Sequence, residues 1–473
     1  MAGLNGTQLI EHQADVIYPS KPEVSMRVRC VNAAIVRIAA AMIGLIVSQP
    51  IAVRAQSTPP ARSSYTGPGS CAAASCHGSV RPVAGSRIQQ TEYNTWVLQD
   101  KHARAAEVLG SALSLRIARN LGLPRADTAA KCLACHALNA PENDRAKTFA
   151  NEGVSCESCH GPASAWLGPH TTRNWTHEQS IALGMYDTRD PIKRVERCGS
   201  CHIGSAEHSV DHEMIAAGHP DLVFDLEAFS NAMPKHWQDP PTADPFRGTL
   251  VWSVGQLMQL RQGLERVGRR ARGDVWPEYA ELDCFACHHS LTRAEDSWRQ
   301  ELGYHQRRAG TPVWNGSRIA VARLVARDLD AAAADRLDAD LERLTQAIST
   351  LQADRTRIAD LASTLQSTVD GLARRAAART ADAATTLRLM RAIVDDADRI
   401  ASGGERSAEQ AAMSMEALFA AYTKGARDLD ERTVRSALDA LFGGLENPSA
   451  YDPRKFSSLL KAAGAALRRQ PTQ

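Results

Sequence analysis

Ten of the chain's eleven cysteines fall into five close pairs, and each pair is followed at once by a histidine. Four of these units read C-x-x-C-H: Cys132-Leu-Ala-Cys135-His136, Cys156-Glu-Ser-Cys159-His160, Cys198-Gly-Ser-Cys201-His202 and Cys284-Phe-Ala-Cys287-His288. A random chain of this composition would hold about 0.01 such pentads, so the pattern is not an accident. Two thiols three residues apart project from one side of a helical turn. They reach the two vinyl groups on one porphyrin edge and form thioethers, and the next residue turns its imidazole toward the iron. Zinc also uses paired cysteines, but it has no need of a histidine directly after each second thiol. A disulfide within C-x-x-C closes too small a loop to stabilise much. The pattern therefore implies covalently attached haem c.

The remaining unit, Cys71-Ala-Ala-Ala-Ser-Cys76-His77, comes first in the chain, which makes those of Cys132, Cys156, Cys198 and Cys284 the second to fifth, and it carries two extra residues between its thiols. A small Ala/Ser loop can bulge and still bring the sulfurs to the same separation. The expected cofactor complement is thus five haems, held by the ten paired cysteines. His77, His136, His160, His202 and His288 are the expected iron ligands on the near side. Aromatic residues are only 5% of the chain, thin for a conventional large core, and haem macrocycles would serve as core material in their place. The formal net charge of +2 gives no basic excess that would argue for nucleic acid. Each haem adds two propionates, which makes the loaded protein considerably more acidic than that figure.

Electron-transfer haems usually have a second axial ligand, and catalytic haems leave that place open. Nine histidines remain after residue 55 outside the units. His102, His170, His212, His219 and His236 are the expected second ligands, because most of them lie in Gly- and Pro-rich stretches near the anchored haems. His177, His208, His289 and His305 are expected to be surface or supporting residues. Met185, Met214 and Met233 stand near enough in sequence to replace a histidine. The sequence does not fix which histidines pair. Where two do, their ring nitrogens should face each other about 4 Å apart.

The N-terminal segment reads as an export signal: a basic Met26-Arg-Val-Arg29, an apolar Ala33 to Val47, and small residues ending at Ala55. Residues 1–55 are therefore expected to be removed, with Met26 as the true start, and the product to be periplasmic. A retained membrane tether is the alternative, although the apolar run is short for a span. Residues 56–70 form a Pro/Ser/Gly-rich linker, 71–314 a loop-rich haem domain, and 315–473 a helical domain without histidine or cysteine. In the last, Leu337, Leu344, Leu351, Ile358, Leu365 and Leu372 recur every seven residues, which predicts one long amphipathic helix. The fold class is mainly α, with the haem domain followed by a C-terminal helical bundle or coiled coil.

Residues from about 67 to 310 resemble the multihaem cytochrome c family of the cytochrome c554 type. The resemblance rests on Gly67-Pro-Gly-Ser-Cys71 through Cys76-His77, the Trp96 to His102 segment, Glu152-Gly-Val-Ser-Cys156 through His160-Gly161-Pro162, and His212 through His219-Pro220 to His236-Trp237. It implies a mostly helical protein with closely packed haem pairs that shuttles electrons in the periplasm of respiring bacteria. The first C-x4-C-H unit and the count of five depart from the four-haem type.

The leading reading is an electron conduit serving redox partner proteins of a respiratory chain. The alternative is a multihaem reductase with one open iron acting on a small nitrogen or sulfur compound. Lys101, Lys235, Tyr186 and Tyr279 are then the candidate proton donors. A third reading makes the chain a subunit of a membrane complex, or an oligomer joined through its C-terminal helices. No nucleic-acid partner is expected.

Overall fold

The computed structural model describes residues 63–86, 88–138, 140–147, 153–205, 208–239, 243–284, 287–288, 314–350, 352–447 and 450–467. The export signal, residues 56–62 of the linker, His289, His305 and Leu351 lie outside them. Among the described residues there are helices and turns but no strands, only the isolated bridges Tyr65–Arg145 and Leu282–Trp314.

Up to residue 239 the helices are short: α1 (Glu92–Gln99), α2 (Ala112–Asn120), α3 (Ala130–His136), α4 (Cys156–His160), α5 (His177–Ala182), α6 (Pro191–His202), α7 (His212–Ala217) and α8 (Leu226–Ala232). Glycine and proline end most of them within a few turns. The stretch from Thr91 to Leu109 is not one continuous helix. Asp100 is extended, at φ −84° and ψ 126°, and its side chain accepts from the backbone of His102, so 3-10 turns at Lys101–Arg104 and Glu107–Gly110 follow α1. That break takes His102 off the helix axis.

The long α9 (Arg247–Arg272) comes next. At 1.5 Å per residue it is about 39 Å long, and it is buried on almost every side from Gly248 to Ala271. Its buried apolar residues, Val251 to Val267, need cover on more than one face. Its cover comes from α6 and α8 on the haem side and from α11 (Ala322–Leu329), α13 (Arg355–Ala377) and α16 (Glu405–Gly425) on the other. The remaining helices are α10 (Ser317–Ala320), α12 (Ala331–Ile348), α14 (Ala383–Asp395), α15 (Ala397–Ser402), α17 (Glu431–Gly443) and α18 (Pro453–Ala466). One core runs without interruption from Val195 to Leu467, across the change of composition near residue 315.

The heptad stretch is two helices rather than one. Ser349 and Thr350 return hydrogen bonds to the carbonyls of Thr345 and Gln346, and Asp354 caps a new start by accepting from Arg357 N–H. Both halves of the seam are used inside the chain: Leu337, Leu344, Ile358 and Leu365 are completely buried. An oligomer would have to use other faces. Aspartate does most of the N-capping, at Asp190, Asp211, Asp225, Asp330, Asp354, Asp382, Asp430 and Asp452. Each such cap is worth about 1 kcal/mol.

Candidate haem sites

Three of the five units sit on helices. Cys132, Cys135 and His136 fill α3, Cys156 to His160 constitute α4, and Cys198, Cys201 and His202 form the last turns of α6. In the fifth unit His288 N–H donates to Cys284 O at 2.7 Å, which gives the same single turn. In the first, the longer loop closes on itself. Ala73, Ala74 and Ser75 bulge outward, while His77 N–H donates back to Cys71 O at 3.2 Å. Gly78 makes this closure possible, because a Cβ there would lie 1.9 Å from the carbonyl oxygen of Ala72. All ten paired cysteines are free thiols.

Each unit histidine faces one histidine from elsewhere in the chain. His77 faces His170 with ring centres 6.2 Å apart, His136 faces His219 at 6.4 Å, and His160 faces His236 at 6.4 Å. His202 faces His102 at 6.0 Å, and His288 faces His212 at 6.3 Å. A metal held between two imidazoles by bonds of about 2 Å puts the ring centres about 6.3 Å apart. The ring planes are nearly parallel in the first and fifth pairs, at 6° and 30°. They are perpendicular in the other three, at 86° to 88°.

The second ring nitrogen is committed in several of these histidines. His77 Nδ1 meets Glu92 Oε2 at 3.0 Å, and His102 Nδ1 meets Asp100 Oδ1 at 2.9 Å. His136 Nδ1 lies 2.9 Å from Ala105 O, His170 Nδ1 2.6 Å from Leu167 O, and His219 Nδ1 2.7 Å from Pro220 O. An acceptor at Nδ1 fixes the tautomer that leaves Nε2 free to bind a metal. Burial pushes His160 and His202 down to about 4, so both rings stay neutral, which is the ligand form. Bonds to Glu92 and Asp100 instead raise the pKa of His77 and His102.

The donor set therefore fits haem c: free thiols at one end of each unit and two imidazoles at metal-bridging distance. Thiols of different units also approach one another. Cys71 and Cys156 lie within hydrogen-bonding reach, as do Cys135 and Cys201. Cys159 lies close enough to Cys198 and Cys201 to feel their charge.

The other sequence candidates have different partners. His177 Nε2 meets Asp187 at 3.0 Å, and His208 lies beside the turn after α6. Tyr186 hydroxyl donates to Lys193 O, Lys235 pairs with Asp239, and Tyr279 packs its ring on His212. Met214 is core, and Lys101 opens the turn that carries His102. Three functional positions escaped the sequence reading. Glu92 and Asp100 are the acceptors behind His77 and His102. Glu157, between the third unit's cysteines, accepts from Thr66 N–H at 3.0 Å, Gly67 N–H at 2.7 Å and Ala163 N–H at 2.7 Å. Asp100 had a legible signal, an aspartate two residues before a histidine. Glu92 and Glu157 had none.

The family model for cytochrome c554 and c-prime matches residues 71–161, the stretch from the first thiol to the glycine after His160. No curated protein and no solved structure matches the chain. By the family match the segment 71–161 is cytochrome c554-like, which supports a c-type cytochrome domain of the kind that binds haem covalently.

Proposed function

We propose that the chain is a five-haem electron conduit in which every iron is held between two imidazoles. The pairs are His77 with His170, His136 with His219, His160 with His236, His202 with His102, and His288 with His212. The observation that carries this reading is the common ring spacing of 6.0 to 6.4 Å in five separate places. Bound haem c supplies a one-electron iron couple, whose potential is set by its ligands and surroundings. The chain's own part is orientation and electrostatics. Glu92, Asp100 and the carbonyls of Ala105, Leu167 and Pro220 hold ring tautomers. Glu278 accepts from His212 N–H at 2.9 Å and keeps that ring beside the fifth unit.

Contacts between units support a linear order of first, third, fourth, second and fifth. The Cys71–Cys156 approach links first to third, Cys159 with Cys198 and Cys201 links third to fourth, and Cys135–Cys201 links fourth to second. The last link is α7, which starts with the fifth unit's partner His212 and is followed by the second unit's partner His219. Lys131 and Asp211, 2.6 Å apart, tie α3 to the start of α7. A second ring opposite each unit histidine supports the conduit over the reductase reading.

The proposal places the protein outside the cytoplasm, on the signal-like N-terminal segment. Among the described residues no helix is long and apolar enough to cross a membrane. The deciding experiment is expression with a cytochrome c maturation system, followed by intact mass and electron paramagnetic resonance. The expected product carries five haems, all low-spin, and its spectrum is unchanged by carbon monoxide. A high-spin iron that binds carbon monoxide would overturn the conduit in favour of the reductase, and fewer than five haems would overturn the count.

A further inference from the structure

The third and fourth units meet around Arg197. It immediately precedes Cys198 and stands one turn before Cys201 on α6, so its side chain shares their end of the helix. Its guanidinium carbon lies 4.0 Å from the ring centre of Tyr186. Tyr186 is itself fixed at both ends: its N–H donates to His160 O at 2.8 Å, and its hydroxyl donates to Lys193 O at 2.8 Å. The ring thus clamps the cation between the third unit's histidine and the fourth unit's helix.

Nothing among the described residues neutralises that cation. Arg197 Nε is buried without a hydrogen-bond partner, and no carboxylate there forms an ion pair with it. The buried acid of the third unit, Glu157, is spent on three backbone N–H groups. Arg194, one turn earlier, donates instead to Thr188 O at 2.6 Å. The reach of Arg197 covers both units, since it adjoins Cys198 on α6 and packs on Tyr186, whose N–H holds the carbonyl of His160.

We propose that Arg197 is a positioning residue for electrons, a fixed positive charge clamped on Tyr186 that raises the reduction potentials of the third and fourth haems relative to the other three. The inference rests on the haem assignment above. Oxidised iron carries one more positive charge than reduced iron. A neighbouring, half-buried cation therefore disfavours oxidation, and the potential rises.

The test is Arg197→Met beside Arg197→Lys in the fully loaded protein, read by spectroelectrochemical titration with haem stoichiometry and resonance spectra alongside. The methionine variant should keep five low-spin haems while two of the five lose about tenfold in reduction equilibrium constant, which is 59 mV for one electron. The lysine variant should stay within about threefold of the parent at all five. Unchanged potentials in the methionine variant, or equal shifts of all five, would overturn the proposal. So would an equal shift in the lysine variant. If the methionine variant fails to load haem, Tyr186→Leu removes the clamp and keeps the charge. It should lower the same two potentials by a smaller factor, and no shift there counts against the idea equally. Loss of haem or a high-spin signal in the parent protein would instead indict the haem assignment, so the two failures are distinguishable.

Discussion

Replacing Glu157 by glutamine is the sharpest test of how the first and third units are held together. The carboxylate is 1% exposed and accepts from Thr66 N–H, Gly67 N–H and Ala163 N–H, with the Thr66 hydroxyl at 3.4 Å. A glutamine has one acceptor oxygen in place of two. If that oxygen takes the place near Ala163, its amide group confronts Gly67 N–H, and in the flipped orientation it confronts Ala163 N–H. Either way one buried backbone donor is orphaned, at about 1–3 kcal/mol, and the surviving bonds lose their charge assistance. The expected cost is about 3 kcal/mol, which equals roughly a hundredfold more frequent local opening. Hydrogen exchange read by mass spectrometry should place that loss of protection in residues 64–71 and 161–166 and leave α9 unchanged. With Cys71 and Cys156 no longer held side by side, the first haem, still covalently attached, should also be the first to lose an axial histidine and turn high-spin in mild denaturant. Protection that falls evenly over the whole chain, or not at all, would refute the argument that this carboxylate is the brace.

Three further outcomes follow from the same geometry. Perpendicular imidazoles give a more anisotropic low-spin resonance than parallel ones, so the oxidised protein should show the two signal types in a ratio of three to two; all five of one type would contradict the ring angles of 86–88° and of 6° and 30°. Glu92→Gln removes the anion behind His77 Nδ1, which weakens the ring as a donor, and potentiometry should find the first haem's potential raised with the other four unmoved. Burial pushes Glu227 up to about 7 from 4.5, so between those pH values the unfolded chain has released a proton that the folded chain keeps. Stability should then fall as pH rises through that window and level off above it, by about 3 kcal/mol from this residue. In guanidinium titrations at pH 5 and pH 8, Glu227→Gln should narrow the difference between midpoints, and an unchanged difference would remove Glu227 as its source.

Residue types were readable from the chain, and partnerships were not. The five Cys-His units declare themselves because haem attachment demands thiols and imidazole in one short stretch. Which distant ring each one faces depends on tertiary folding: His102 meets His202 and His77 meets His170, each across about a hundred residues of chain. Glu92 reaches His77 only because the backbone folds back, with Tyr93 N–H donating to His77 O at 2.9 Å. The heptad seam was legible as an apolar face, but an apolar face looks the same on one long helix and on two shorter ones. The break turns on Ser349, Thr350 and Asp354, whose polar side chains compete for backbone hydrogen bonds without altering the seven-residue spacing. The abrupt change of composition near residue 315 records where cofactor binding stops, while packing continues through it.

The central helix α9 gives that continuity a practical edge. It supplies neither thiol nor imidazole, yet its Arg266 bonds Ile203 O just past the fourth unit and pairs with Glu281 just before the fifth. A shortened gene product ending near residue 314 would keep every cysteine-histidine unit and strip the cover from Val254, Leu257, Leu260 and Leu264, all of them completely buried in the whole chain. The redox half is moulded on a rod whose other side belongs to the tail, so the two halves cannot be separated and studied as independent pieces.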